Sequence, residues 1–204
     1  TNVFNATPSG SEASVHADLL KHVTEAKGRV VVTTFASNSA RLQTLADVAR
    51  EAGRKLCFAG RSLHKIVEAS QATGYLKNLP ETVDMESVDA YPRNQVMVVA
   101  TGGQGEARAA LARIAEGNHP VKLEEGDTVI FSSKQIPGNE MAIGHVMNQL
   151  ARRNIIMITE KQAHVHVSGH PGRSELAKLY EWVRPEILVP VHGERRHMAE
   201  QARF

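Results

Sequence analysis

Histidine is concentrated near the end of this sequence. Five of the ten histidines lie between His164 and His197. Neutral imidazole is the commonest metal ligand, and it is the side chain that titrates near pH 7 without help. In an extended segment, alternation places His164 and His166 on one face and Val165 and Val167 on the other. We therefore expect chemistry or anion binding in this segment, rather than packing alone.

The residues that follow this histidine pair predict an anion site. Ser168, Gly169 and His170 bring a hydroxyl, a flexible backbone N–H and an imidazole into one short turn ahead of a helix. A further imidazole, His192, comes directly after the apolar segment Ile187–Val191, which has the composition of a strand. Together these groups are suited to holding a phosphate.

A complete metal centre is not predicted. A catalytic zinc ion needs three or more protein ligands, and His164 with His166 supplies only one such pair. No second cluster of histidine and carboxylate occurs in the chain. The remaining histidines are scattered along predicted helices and loops, where we expect them to be solvated: His16, His22, His64, His119 and His145.

A glycine-rich loop is the second candidate binding element. Gly102, Gly103 and Gly105 follow the predicted strand Gln95–Ala100 and open a helix. Glycines let a backbone approach a phosphate closely, and successive N–H groups can form an anion-binding nest. The spacing matches neither a Walker loop nor GxGxxG, and a simple tight turn would also explain it.

The elements that must position these groups alternate between strand and helix. Apolar, β-branched runs are typical of strands covered on both faces, and alternation with helices favours an α/β fold with a mostly parallel sheet. Ligands of such sheets bind at the carboxyl ends of the strands. The predicted strands are 29–35, 55–59, 95–100, 127–132, 154–158 and 187–191, and the predicted helices are 11–26, 38–52, 62–73, 106–116, 139–152 and 173–183.

Composition is that of a globular protein. The chain has 204 residues, a formal charge of +2 and one cysteine, Cys57, in an apolar segment where we expect it to be buried. It has no disulfide framework, no signal peptide and no apolar run of membrane-spanning length, so we predict a cytoplasmic protein without a membrane partner. It begins at Thr1 rather than Met, and we expect it to be part of a longer chain.

Six ordered segments form a pattern that runs along the whole chain. They are Thr33–Asn38, Phe58–Ser62, Thr101–Glu106, Ile136–Glu140, His166–His170 and Pro190–Glu194. Taken together, these segments resemble the bacterial RNase J family, whose members are metallo-β-lactamase nucleases with an inserted β-CASP domain. Six motifs in order are more specific than any one of them.

The resemblance implies a ribonuclease with two zinc ions, acting as a 5′ exonuclease and an endonuclease in RNA processing and decay. Its substrate would be RNA with a 5′-monophosphate, and the parent protein would be a homo-oligomer. By this resemblance His166 and His170 are catalytic and contact the scissile phosphate, and His192 is a zinc ligand. Ser168, Gly169 and His170 would bind an RNA phosphate, and Gly102, Gly103 and Gly105 would line the RNA path.

The resemblance also implies a division into domains. Residues 1–10 and 169–204 would belong to the metallo-β-lactamase domain, and residues 11–168 would form a Rossmann-like β-CASP domain. Thr1 and Asn2 would follow a zinc-bridging Asp, and the family's HxHxDH motif would lie further upstream. Pro171 departs from the pattern, since a small residue is usual there. Because this chain lacks the main metal motif, we expect it to be inactive by itself.

Two alternatives use fewer of these residues. A free-standing Rossmann-like module could bind a nucleotide or phosphate through Gly102–Gly105, without hydrolase activity. A metal-independent hydrolase could use His170 as a base, but no GxSxG elbow or other nucleophile is evident. An upstream HxHxDH motif would favour the nuclease over both.

Overall fold

A computed structural model of the chain describes residues 2–204. Thr1, with the prediction of what precedes it, lies outside the described residues. Contacts within the chain define two compact units, which we call the large unit, Glu12–His166, and the small unit, residues 2–11 with Val167–Phe204. Each unit is described separately below.

The large unit contains a five-stranded parallel sheet. Its order is β2-β3-β1-β4-β5, so the first strand is central. Val31 of β1 lies opposite Val98 of β3 and Val129 of β4. Every residue of these three strands is buried, which explains their unbroken apolar sequences. The strands are β1 Val30–Thr33, β2 Lys55–Ala59, β3 Val96–Ala100, β4 Thr128–Phe131 and β5 Ile156–Ile158.

Helices connect the strands and cover both faces of the sheet. Helices α4 and α5 pack on the face that includes Val31, Val98 and Val129. Helices α1 and α2 pack against each other and bury leucines such as Leu19 and Leu42, over the alternate strand residues. The α/β prediction with a parallel sheet is confirmed. The helices of this unit are α1 His16–Glu25, α2 Ser39–Glu51, α3 Arg61–Ala72, α4 Ala110–Ala115 and α5 Glu140–Ala151, with 3-10 turns at Glu12–Val15, Met85–Ala90 and Arg93–Gln95.

The small unit contains two helices, α6 Arg173–Val183 and α7 Arg195–Arg203. A carboxylate oxygen of Glu175 accepts the backbone N–H groups of Ser9 and Gly172, at 3.0 and 2.7 Å, and so joins the two ends of the chain. The two helices are joined by the ion pair of Arg173 and Glu200 at 2.8 Å. The arginine also lies over the ring of Phe204.

Three sequence predictions were wrong in detail. Residues 187–191 are irregular and mostly exposed, because no strand within residues 2–204 pairs with them. The segment from His164 to Val167 is also irregular, although its alternation of exposed and buried side chains matches the prediction. His119 is buried rather than solvated, and its Nδ1 accepts the N–H of Val121 at 3.1 Å.

None of the helices formed by residues 2–204 combines the length and the hydropathy needed to cross a lipid bilayer.

Candidate phosphate-binding site

A cleft of about 350 Å³ lies at the carboxyl edge of the sheet. Its lining comes from residues 34–37 after β1, from Ser62 and Ile66 of α3, from residues 101–103 and Glu106 after β3, and from Ser133 after β4. The neighbouring strands β1 and β4 connect to opposite sides of the sheet, since β1 leads to β2 on one side and β4 leads to β5 on the other. This is the position where parallel sheets bind ligands.

Close packing requires the glycines of the loop after β3. A side chain at Gly103 would meet the hydroxyl of Ser133 at 2.5 Å, and one at Gly102 would meet Ala109 at 2.9 Å. At Gly105, where φ is +76°, it would meet the backbone of Ala142 at 2.4 Å. The loop therefore lies directly against β4's loop, the start of α4, and α5. Contact of these glycines with RNA stays a prediction.

The N–H groups of this loop are partly occupied within the protein. The Gln104 N–H donates to a carboxylate oxygen of Glu106 at 3.0 Å, and the Gly105 N–H donates to Gly102 O at 3.1 Å. The Gln104 side chain ties the loop to Lys134 O and to the Ile136 N–H. A phosphate here would meet the Glu106 carboxylate, which weakens the alternative of a nucleotide-binding module.

A second cleft of about 190 Å³ adjoins the first. Phe131, Ile143 and Met147 line it, and it shares Gly103 and Ser133 with the larger cleft. The Ser133 hydroxyl is buried without a partner among the described residues. The two clefts therefore meet at Gly103 and Ser133, at the carboxyl edge of the sheet.

His166 lies in the large unit and is half-buried. Burial and, next, the charge of Arg41 lower the pKa of His166 to about 4, while Glu12 acts in the opposite direction. Its Nδ1 has no partner among the described residues. At neutral pH this imidazole is therefore uncharged, and it can donate or accept a hydrogen bond without carrying a positive charge.

Ser168 lies in the small unit, in a turn held by Asn2. The Nδ2 of Asn2 donates to the Ser168 hydroxyl oxygen at 3.0 Å and to His170 O at 2.8 Å. The His170 N–H donates to the same hydroxyl oxygen at 3.2 Å. A serine oxygen has two acceptor sites, so both are used. Its proton remains available, because no described residue accepts it.

His170 and His192, also in the small unit, stack on each other. Their ring centroids are 5.2 Å apart and the planes differ by 13°. Burial lowers the pKa of His170, and the neighbouring His192 adds to this effect. The backbone of His192 has a positive φ of 64°, an unusual conformation for a residue other than glycine. Gly169, between them and Ser168 in sequence, is exposed.

The donor set described here does not fit a zinc ion by itself. Within residues 2–204, no group of three or more His, Cys, Asp or Glu side chains is placed to hold a metal. His192 is exposed and faces one other imidazole, that of His170. Its role as a ligand remains a prediction.

Sequence reasoning missed Arg41. Its side chain is fully buried in α2, where a surface charge would be expected. The sequence does indicate this burial, since Arg41, Leu45 and Val48 have the i, i+4, i+7 spacing of the buried face of α2. A charged residue on that face requires partners, and the structure supplies them.

Comparison with known proteins identifies the family. The sequence profile of the ribonuclease J β-CASP domain matches residues 27–150. A second profile, the Zn-dependent metallo-hydrolase RNA specificity domain, matches residues 155–203. The chain belongs to the ribonuclease J family. Together the two matches cover residues 27–203 except for residues 151–154.

The relatives of this ribonuclease J chain cover it almost completely. It is 43% identical to ribonuclease J of Sinorhizobium meliloti over 99% of its length, and 41% identical to that of Corynebacterium glutamicum over 97%. It spans 36% and 28% of those two relatives. The chain thus corresponds to about a third of the length of the relatives it matches.

Proposed function

We propose that this chain is part of a zinc-dependent ribonuclease that hydrolyses RNA phosphodiester bonds, as a 5′ exonuclease and an endonuclease, in RNA processing and decay. It supplies the side of the active site that binds RNA phosphate. Family membership and the two matched domains support this proposal. The main observation that supports it is the hydrogen bonding of the Ser168 hydroxyl.

The Ser168 hydroxyl is arranged as a donor. Asn2 and the His170 N–H fill its two acceptor positions, so the hydroxyl is left to donate its proton to a hydrogen-bond acceptor. A phosphate oxygen is such a group. Gly169, which lacks a side chain, leaves room for the phosphate beside it.

His166 and His170 are the proposed catalytic residues. A neutral His166 donates a ring N–H to a phosphoryl oxygen, where negative charge grows during phosphodiester hydrolysis. His170, in the turn with Ser168, assists the leaving group. His192 is proposed as one of the residues that would hold a zinc ion, which would supply an activated hydroxide at neutral pH.

We propose that residues 11–168 are the β-CASP domain and that residues 1–10 and 169–204 belong to a metallo-β-lactamase domain. The boundaries of the two compact units, near residues 11 and 167, support this division. The small unit also exposes large apolar side chains, which a larger domain would cover: Trp182, Val183, Ile187, Val189 and Val191.

The proposed partner is 5′-monophosphorylated RNA in the cytoplasm, bound by a homo-oligomeric parent protein. The test is the binding of this chain to an oligoribonucleotide with either a 5′-phosphate or a 5′-hydroxyl. We expect about tenfold tighter binding of the phosphorylated form, since one hydrogen bond to a charged group contributes about 1.5 kcal/mol.

Ser168→Ala should remove this preference, because it deletes the donated proton. Ser87→Ala, at an exposed serine of a 3-10 turn in the large unit, is the matched control and should keep it. Equal affinity of the unmodified chain for both oligonucleotides would contradict the assignment of Ser168, Gly169 and His170 to a 5′-phosphate pocket.

A further inference from the structure

Arg41 is a fully buried cation whose donors are directed to three separate segments of the large unit. Its Nε and Nη2 donate to the two carboxylate oxygens of Glu12, at 2.8 and 3.2 Å. Its Nη1 donates to Ser132 O at 3.1 Å, to the Ser132 hydroxyl, and to Val165 O at 3.3 Å. One guanidinium therefore joins the start of the unit, the end of β4 and the segment before His166.

The carbonyl of Val165 is held from two directions. Besides Arg41, the Ser132 hydroxyl donates to it at 2.7 Å. The Val165 side chain is completely buried, so neither its backbone nor its side chain can shift easily. The next residue is His166, and its orientation is set by this fixed peptide.

We propose that Arg41 is a positioning residue for His166, and that its buried guanidinium fixes the backbone that presents this imidazole. The proposal rests on the proposed function insofar as His166 meets RNA. The position of the imidazole itself can be measured without RNA.

The energetics of the ion pair support a role beyond stability. Burying Arg41 with Glu12 costs desolvation energy, and an apolar pair of similar volume often stabilises a protein as well or better. A guanidinium, in contrast, can hold a carboxylate and two carbonyls at once in fixed geometry. Arg41 fixes the position of the Val165 carbonyl, which an apolar residue could not do.

Electrostatics point in the same direction. Burial, Arg41 and Lys134 lower the pKa of His166, whereas Glu12 and the backbone of Ser132 raise it. After burial, Arg41 has the largest effect. It therefore both fixes the residue before His166 and helps to keep this imidazole neutral.

The test is nuclear magnetic resonance of Arg41→Gln and Arg41→Lys in this chain. In Arg41→Gln we expect the Val165 carbonyl signal to shift and the pKa of His166 to rise toward 6.5, the ordinary histidine value. In Arg41→Lys the charge remains but the planar fork is lost. The carbonyl signal should shift there too, with a smaller change in the pKa.

Arg54→Gln is the matched control. Arg54 is also buried, but its guanidinium donates to Ala26 O and Gly28 O, at 2.7 and 2.9 Å. This variant should lose stability without moving the signals of Val165 or His166. Should Arg41→Gln not fold, the double variant Glu12→Gln with Arg41→Gln removes the unpaired carboxylate and gives the same readouts.

Unchanged Val165 and His166 signals in a folded Arg41 variant would overturn the proposal. So would equal shifts in Arg54→Gln, since they would show a general response to lost stability. RNA affinity separates the two proposals: we expect about a tenfold loss in both His166→Ala and Arg41→Gln. If RNA affinity is unchanged in His166→Ala while the Arg41 variants move the signals, the positioning role holds and the proposed function of His166 fails.

Discussion

Burial affects three histidines of this chain, and their hydrogen-bond partners separate their roles. His119, His166 and His170 all have a lowered pKa, and burial is the first cause for each. His119 uses its Nδ1 in a backbone hydrogen bond, which is a structural role. The Nδ1 of His166, in contrast, has no partner among the described residues. A buried, unpartnered ring nitrogen is costly unless a ligand uses it, and this distinguishes His166 from His119.

We expect the free energy of unfolding to fall as the pH falls from 6.5 toward 4. Over this range His166 becomes protonated in the unfolded chain but stays neutral in the folded chain, since the pKa of His166 in the folded chain is about 4. His166→Gln should remove about 2 kcal/mol of this decrease, allowing for partial exposure. Urea unfolding at several pH values measures it.

His164→Gln, on an exposed side chain of the same segment, is the control for this titration. An identical pH dependence in His166→Gln and the unmodified chain would show that the folded protein does not hold His166 neutral.

At the scale of elements, the glycines of the loop after β3 are close-packed against neighbouring elements. The sequence had suggested that the same glycines bind a phosphate. These glycines allow three elements to meet at the carboxyl edge of the sheet, and Gln104 crosslinks the loop to the one after β4. Gly103 of this loop lines both clefts. Their shape depends on glycine even if no phosphate touches it.

Gly105→Ala should destabilise the chain by about 3 kcal/mol, since it combines a strained positive φ with a clash. The added carbon would lie 2.4 Å from the backbone of Ala142. Gly144→Ala is the matched control in α5, where nothing lies within 4 Å of the added carbon. That variant should stabilise the helix by up to about 1 kcal/mol. Thermal and urea unfolding measure both, and equal effects would contradict this account of the loop.

At the scale of the whole molecule, the two units differ in how well they bury apolar side chains. The large unit has a sheet covered on both faces, whereas the small unit leaves Trp182 76% and Ile187 80% exposed. Exposed apolar surface of this extent is typical of an interaction site. This exposure agrees with the proposal that residues outside those described here cover the apolar side chains of the small unit. The remaining metal ligands of the active site are proposed to come from the same source.

RNA incubated with this chain and Zn²⁺ is expected to remain intact, because residues 2–204 place no group of three or more candidate ligands around a metal. Gel electrophoresis of a labelled RNA measures this. Cleavage that His192→Ala abolishes would show that the chain assembles a working metal centre by itself, contrary to the proposal. Cleavage that survives in His192→Ala would indicate a contaminating nuclease.

Local patterns in the sequence determined the α/β class, five of the six predicted strands, and the six predicted helices, of which α4 is shorter than predicted, because periodicity and capping act over a few residues. Asn38, for example, is a typical capping residue, and it caps α2 by accepting the Arg41 N–H. Only the tertiary structure decided the strand order, the burial of His119, and the unpaired state of residues 187–191. It also showed that Arg41, on a helix, holds the carbonyl of Val165, 124 residues further along the chain. Such contacts depend on the partners that folding brings together, and no local pattern records them.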